Sequence, residues 1–272
     1  MKVSDFRYTG ISGPGRTLLR RLTRARKLFT VSEAAAITGL DRPVAGRLLA
    51  HWASKGWLAR LRRGLYAPVP LDADPRAENV ADAWAVLSRV FAPCYIGGWS
   101  ACEHWGLTEQ LFRTIVVVTA RRVVAREGEI AGARYLAKRV AADFLFGTRK
   151  VWREGLAVEI SDQERTVVDV LDSPEIGGGM RHVASVVAVY FRSDDRKEQQ
   201  LLDYGVRLGN RTVFKRLGFL IERLGIHAPQ TVSFCLRNVS KGYSLLDPSG
   251  PRKGRLVRRW NLRLNVRVTD RE

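Results

Sequence analysis

Cysteine, histidine and acidic side chains are scarce in this sequence, and each shortage removes a class of function. Only three of the 272 residues are cysteine. Cys94, Cys102 and Cys235 are odd in number and widely scattered, with no C-x-x-C pair, so neither a disulfide framework nor a zinc site is supported. The four histidines, His51, His104, His182 and His227, never fall at metal-ligand spacing, and Glu103-His104 lacks the second histidine of an H-E-x-x-H motif. No metal and no cofactor is expected. Long apolar runs are missing too. Stretches such as Ile115 to Val118 are strand-sized, far from the roughly 20 residues that cross a bilayer. The opening MKVSDFRYTG has no apolar centre for a signal peptide, so the expectation is a cytoplasmic protein with no membrane partner.

The shortage of acids has the largest consequence. Twenty-seven Asp and Glu face 46 Lys and Arg, a formal net charge of +19, and the pI is near 10.7. Packing does not call for such an excess, whereas an acidic partner does, and nucleic acid is the leading candidate. The excess is also uneven. Residues 1–70 hold fourteen Lys and Arg against three acids (+11), residues 71–236 hold 22 against 21 (+1), and residues 237–272 hold ten against three (+7). The length suits two domains with proper cores. We place the first at residues 1–70 and the second at 78–272, with the Pro- and Asp-rich stretch from Pro68 to Pro75 as linker.

The N-terminal segment reads as a winged helix-turn-helix. After Gly13-Pro14-Gly15, Leu18, Leu19, Leu22 and Leu28 recur at helical spacing, with Arg20, Arg21, Arg24 and Lys27 outside. Ser32 is placed to cap a helix starting at Glu33, which runs through Ala34, Ala35, Ala36 and Ile37 and stops at Thr38-Gly39. Asp41 is a natural N-cap and Pro43 suits a first turn. Val44, Leu48, Leu49 and Trp52 then form a buried stripe, leaving Arg42, Ala45, Gly46 and Arg47 toward the outward face. That is the half-helix that enters a major groove in helix-turn-helix proteins. Arg42 and Arg47 are candidate base readers, since a guanidinium donates two bonds to one guanine edge. Lys55-Gly56 ends the helix, with Lys55 a further candidate contact. Trp57, Ala59 and Leu61 alternate with Leu58, Arg60 and Arg62 in a strand that turns at Gly64 and returns from Leu65 to Val69. Arg60, Arg62 and Arg63 therefore crowd the tip of a wing suited to the DNA backbone or minor groove. The plain alternative, a solvated basic surface, fits any one of these arginines but does not account for their agreement with the helix pair.

The remainder reads as a mixed α+β domain. Helices are predicted over 78–91, 99–105, 163–171, 180–191, 196–208 and 212–224. Strands are predicted over 114–119, 134–137, 150–152, 156–160 and 262–268. In the last strand Leu262, Leu264, Val266 and Val268 alternate with Arg263, Asn265 and Arg267. A loop from Ser249 to Arg259 carries Arg252, Lys253, Arg255, Arg258 and Arg259. Together these form a possible second basic surface, equally readable as a charged edge strand that discourages aggregation. No catalytic residue stands out. Asp162, Glu164 and Asp169 with Lys150 could be assembled into a nuclease-like acidic cluster, but carboxylates at a helix start are favoured by its dipole. Gly177-Gly178-Gly179 lacks the Lys-Ser/Thr of a P-loop and reads as a flexible joint.

Several of these segments together resemble a known family. Arg62-Arg63-Gly64-Leu65-Tyr66, Tyr95-Ile96-Gly97-Gly98-Trp99-Ser100-Ala101, Ser161-Asp162-Gln163-Glu164-Arg165-Thr166 and Arg207-Leu208-Gly209-Asn210 look like the AbiEi antitoxins of type IV toxin-antitoxin systems. The resemblance implies a repressor of its own operon that binds inverted repeats in promoter double-stranded DNA through the winged helix. It also implies a second domain that counters a nucleotidyltransferase-like toxin without a stable complex. It carries no catalytic residue to any position here. Two other readings compete: a nucleic-acid-processing enzyme targeted by the winged helix and using Asp162 and Glu164, and an architectural binder without sequence preference.

Overall fold

The computed structural model describes residues 12–69 and 81–268; the expected linker core and the start of the helix predicted from residue 78 lie outside them. The chain divides into two compact units. The first holds residues up to Val90 together with Glu129–Arg134 and Trp152–Ala157, and the second holds the rest.

Helix α1 (Gly13–Ala25) begins ahead of the leucine periodicity, because the Ser12 side chain accepts from Gly15 N and Pro14 occupies the first turn. It buries Leu19 and Leu22. Strand β1 (Phe29–Thr30) leads directly into α2 (Val31–Thr38), and Gly39 closes that helix in the left-handed conformation. Thr30, not Ser32, is the N-cap. The Thr30 hydroxyl accepts from Glu33 N while the Glu33 carboxylate accepts from Thr30 N at 2.8 Å, a reciprocal capping box. Ser32 is exposed inside the first turn. Helix α3 spans Arg42–Ser54, followed by β2 (Leu58–Arg62) and β3 (Leu65–Pro68). The strands pair antiparallel in the order β1-β3-β2, with Phe29 opposite Tyr66 and Arg60 also opposite Tyr66. Helices and sheet enclose Leu19, Leu22, Phe29, Ala34, Leu49, Trp52, Leu58 and Tyr66. This is the winged helix-turn-helix expected, with a small core in which each large buried side chain contributes about 1.5–3 kcal/mol.

Beyond it come α4 (Ala83–Phe91), β4 (Cys94–Ile96), α5 (Gly98–His104), β5 (Ile115–Thr119), β6 (Glu127–Ile130), β7 (Ala133–Arg139), β8 (Thr148–Arg153) and β9 (Leu156–Ser161). The six strands form one mixed sheet, β6-β7-β5-β4-β9-β8. β4 runs antiparallel to β5 and parallel to β9, and β5 runs parallel to β7. The β6–β7 and β8–β9 connections are two-residue turns, Ala131-Gly132 and Glu154-Gly155, with positive φ at both positions, the type I′ geometry that suits twisted hairpins. Two of these strands, β4 and β6, are not legible in the sequence.

Helices α6 (Gln163–Asp172), α7 (Met180–Arg192), α8 (Glu198–Leu208), α9 (Thr212–Arg223) and α10 (Pro229–Arg237) follow. They share a core that includes Val167, Leu171, Val183, Val187, Leu217, Leu220 and Trp260. The three glycines before α7 are a packed turn, which corrects the expectation of a flexible joint. A Cβ on Gly177 would lie 2.7 Å from Val170 and 2.8 Å from Val183. A small three-stranded sheet follows: β10 (Ser244–Leu245), β11 (Arg255–Val257) and β12 (Leu262–Leu264), in the order β10-β12-β11. The last predicted strand is thus shorter than its alternation suggests, and it is central in its sheet, not an edge.

Candidate nucleic-acid interface

The outward face of α3 follows from which residues the core takes. Ala45, Leu49 and Trp52 are buried, and their i, i+4, i+7 spacing defines the inner stripe. This corrects two sequence readings. Ala45 is only 2% exposed, and Val44, expected inside, is 38% exposed. The stripe passes through the smaller residue because α2 crosses close behind: a Cβ on the half-buried Gly46 would already sit 3.5 Å from Val31. Solvent meets Arg42, Pro43, Val44, Arg47, Ala50 and His51 instead.

Arg42 and Arg47 therefore differ in role. Five residues separate them, which at 3.6 residues per turn is about 140° around the helix axis. Arg47 is central on the face opposite Ala45, Leu49 and Trp52. Arg42 is exposed as the first residue of the helix, to one side of that face. The Asp41 side chain forms no capping bond, and α3 contains no acidic residue. Nothing on the helix itself opposes an anion.

The wing is held by its own strand pairing and by a bond from Val31 N to Gly64 O at 3.3 Å. A register shift between Arg60 and Arg62 bulges the strand, which redirects side chains near the tip. Leu65, Tyr66 and Ala67 are buried, while Arg60, Arg62 and Arg63 are exposed. Arg20 and Arg24 on α1 and Lys55 at the end of α3 are exposed as well. Among the described residues, Arg20, Arg24, Arg42, Arg47, Lys55, Arg60 and Arg63 enter no ion pair.

The second basic surface is a different construction. Its Ser249–Arg259 segment is not a loop throughout: Arg255 lies on β11, and Arg258 and Arg259 lie in a 3₁₀ turn. Arg252, Lys253, Arg255, Arg258 and Arg267 are exposed, and Arg263 is half-buried on β12. Arg259 is matched by Glu222 at 2.8 Å. Trp260 anchors the segment by donating to the same carboxylate at 2.7 Å.

The carboxylates considered for chemistry are occupied structurally. Asp162 caps α6 by accepting from Arg165 N, and its other oxygen accepts from Tyr204 and Gln200. Glu164 accepts from Lys197 N and from the Tyr190 hydroxyl. Lys150 is exposed. Among the described residues no group of His, Cys, Asp and Glu is placed to hold a metal. The first turn of α7 is filled as well, since Met180 N donates to Asp247 at 2.9 Å.

Two motifs of the second unit meet in a buried cluster of Tyr95, Arg165 and Asp169, which sequence reading misses, and exposed residues of a third, Arg207 and Asn210, pack beside it. Tyr95 donates to Asp169 at 2.8 Å, and Arg165 is paired with Asp169 at 3.0 Å and bonded to the Tyr95 oxygen at 3.1 Å. Burial raises the Tyr95 hydroxyl and the Asp169 carboxyl above their ordinary values, the latter despite Arg165 beside it. The Arg165 and Arg207 guanidinium groups lie over the Phe146 ring at 4.0 and 3.8 Å. Asn210 donates to Asp172 at 2.7 Å. Tyr95, Arg165 and Asp169 are thus engaged in holding the fold together.

Residues 16–69, which hold most of α1 and the whole of α2, α3 and the wing, match the model of a family described as transcriptional regulator, AbiEi antitoxin. No curated protein matches the chain. Among solved structures, the chain is similar to the crystal structure of the RV2827C protein from Mycobacterium tuberculosis, with a TM-score of 0.62 and 15% identity over 93% of this chain and 91% of that one. At that identity the likeness is one of fold. Among the described residues no helix is long and apolar enough to cross a membrane.

Proposed function

We propose that this protein, whose winged helix matches the AbiEi antitoxin regulators, represses its own operon by binding inverted repeats in double-stranded promoter DNA. In the same reading its second domain, residues 78–272, counters a nucleotidyltransferase-like toxin without a stable complex, and the protein acts in the cytoplasm. The observation that carries the DNA reading is the outward face of α3, where Arg47 is exposed and free of acids within the segment that matches the regulator family. Arg47 then reads a base edge. Arg42, Lys55, Arg60, Arg62, Arg63, Arg20 and Arg24 contact phosphates, which position the protein without carrying sequence information. Arg252, Lys253, Arg255, Arg258 and Arg267 extend the set of phosphate candidates.

The test compares duplex DNA from upstream of the coding region with a scrambled duplex at one salt concentration. Full-length protein is expected to prefer the first. Arg47→Ala is expected to lose about 1–3 kcal/mol of that preference, the worth of one bidentate base contact, while retaining its affinity for scrambled DNA. Equal affinity of the unaltered protein for both duplexes would leave an architectural binder. The toxin arm is read by co-expression: growth is restored without co-purification of the two proteins.

A further inference from the structure

The outward face of α3 is not simply basic. Around Arg47 it presents Pro43, Val44 and Ala50 as well as His51, so a single guanidinium is set beside three exposed apolar groups and an imidazole. Val44 is the largest of these and, at 38% exposure, the only large hydrophobe among the described residues of the winged helix that stands so far out. The core does not need it, since Ala45 fills the inner position one residue along. Nor does helix propensity account for it, because a β-branched residue is a modest helix former. A β-branched side chain in a helix is, however, held almost entirely in one χ1 rotamer, so its two methyl groups have a fixed direction.

Val44 and Arg47 are three residues apart. Side chains at that spacing stand about 5–6 Å apart on one helix face, close to the spacing of bases one or two steps apart at about 3.4 Å per step. In the major groove the apolar feature that distinguishes a base is the thymine 5-methyl group. We propose that Val44 is a specificity-determining residue that packs on a thymine methyl within two steps of the guanine contacted by Arg47. The inference rests on the DNA-binding reading above and narrows it, because it states what kind of half-site the operator must contain. The acid-free surface of α3 suits a polyanion that carries such a methyl.

The experiment uses the full chain and a random duplex pool, from which the preferred sequence is enriched by binding. Each thymine of that sequence is then replaced singly by deoxyuridine, which keeps base pairing and removes only the methyl group. One replacement within two steps of a guanine is expected to weaken binding about fourfold, the worth of roughly one buried methylene-sized group. Val44→Ala is expected to bind the thymine duplex about fourfold more weakly and to be indifferent to that same replacement. Its unfolding transition should stay in place, because the side chain is on the surface. A preferred sequence whose affinity ignores every uridine, or a uridine penalty that survives in Val44→Ala, overturns the role of Val44 and leaves sequence-specific binding intact. A pool that yields no preferred sequence overturns both readings.

Discussion

Arginine does opposite work in the winged helix and in the helices of the second unit. In the winged helix, Arg42, Arg47, Arg60, Arg62 and Arg63 are all exposed, and their guanidinium groups add to a field at the surface. Among α6 to α9, Arg165 and Arg216 are buried, and each is a structural cross-link. Arg216 donates to the carbonyls of Leu171 and Asp172 at the end of α6 and to those of Leu245 and Leu246 in and beside β10. Arg165 ties α6 to β4 through Asp169 and Tyr95. The near-neutral middle of the sequence is therefore not poor in bases. Its bases are matched by acids, and some are consumed inside the fold. A charge balance reveals where a field arises, and burial decides what each charge is for.

The comparison breaks first at Arg165. Arg165→Ala leaves Asp169 buried without its charged partner, and losing one member of a buried pair costs about 3–5 kcal/mol. Chemical denaturation should show that loss, while whatever protein remains folded binds DNA with unchanged affinity. A variant of normal stability with weakened DNA binding would place Arg165 with the exposed arginines. The converse substitution is Arg62→Ala with Arg63→Ala. Stability should fall far less than in Arg165→Ala, because both side chains are exposed. The dependence of log K on log salt should flatten by about 1.8, which is roughly 0.9 for each of two phosphate contacts. An unchanged slope would remove the wing from the DNA.

What can be read from the sequence follows the same division. The winged helix is legible because its signals are local: helical leucine spacing, Gly39 and Gly56 as stops, and Gly64 between two short alternating runs. Most helices of the second unit are legible for the same reason. β4 and β6 are not, since three or four residues carry no periodicity, and their place in the sheet depends on partners distant in sequence. The terminal strand comes out too long because alternation continues past Leu264 while its pairing stops there. On α3, Val44 and Ala45 both fit an apolar stripe, and only the proximity of α2 chooses between them. The buried network of Tyr95, Arg165 and Asp169 is out of reach in principle. Tyr95 lies some 70 residues from the other two, and a charged side chain alone has a surface role that is far more common.

The smallest expected effect separates two neighbouring hydroxyls. Sequence spacing offers Ser32 as the cap of α2, but the structure assigns that work to Thr30, whose hydroxyl also donates to the Glu33 carboxylate at 2.9 Å. Glu33 in turn receives Arg26 and Arg89, so one of the few acids of the N-terminal segment is wholly engaged in fixing the start of α2. Thr30→Ala should therefore cost about 1 kcal/mol, the usual worth of an N-cap. Ser32→Ala, at an exposed first-turn position, should leave the denaturation midpoint unmoved. If both variants are neutral, the ion pairs alone suffice to set the helix start. If Ser32→Ala is the costlier one, the cap lies where sequence spacing suggests. With Thr30 as the sensitive position, the winged helix is held by backbone capping and a small apolar core. Arg47 on the outward face of α3 is then left over for the DNA, whereas α6 depends on a guanidinium to stay in place.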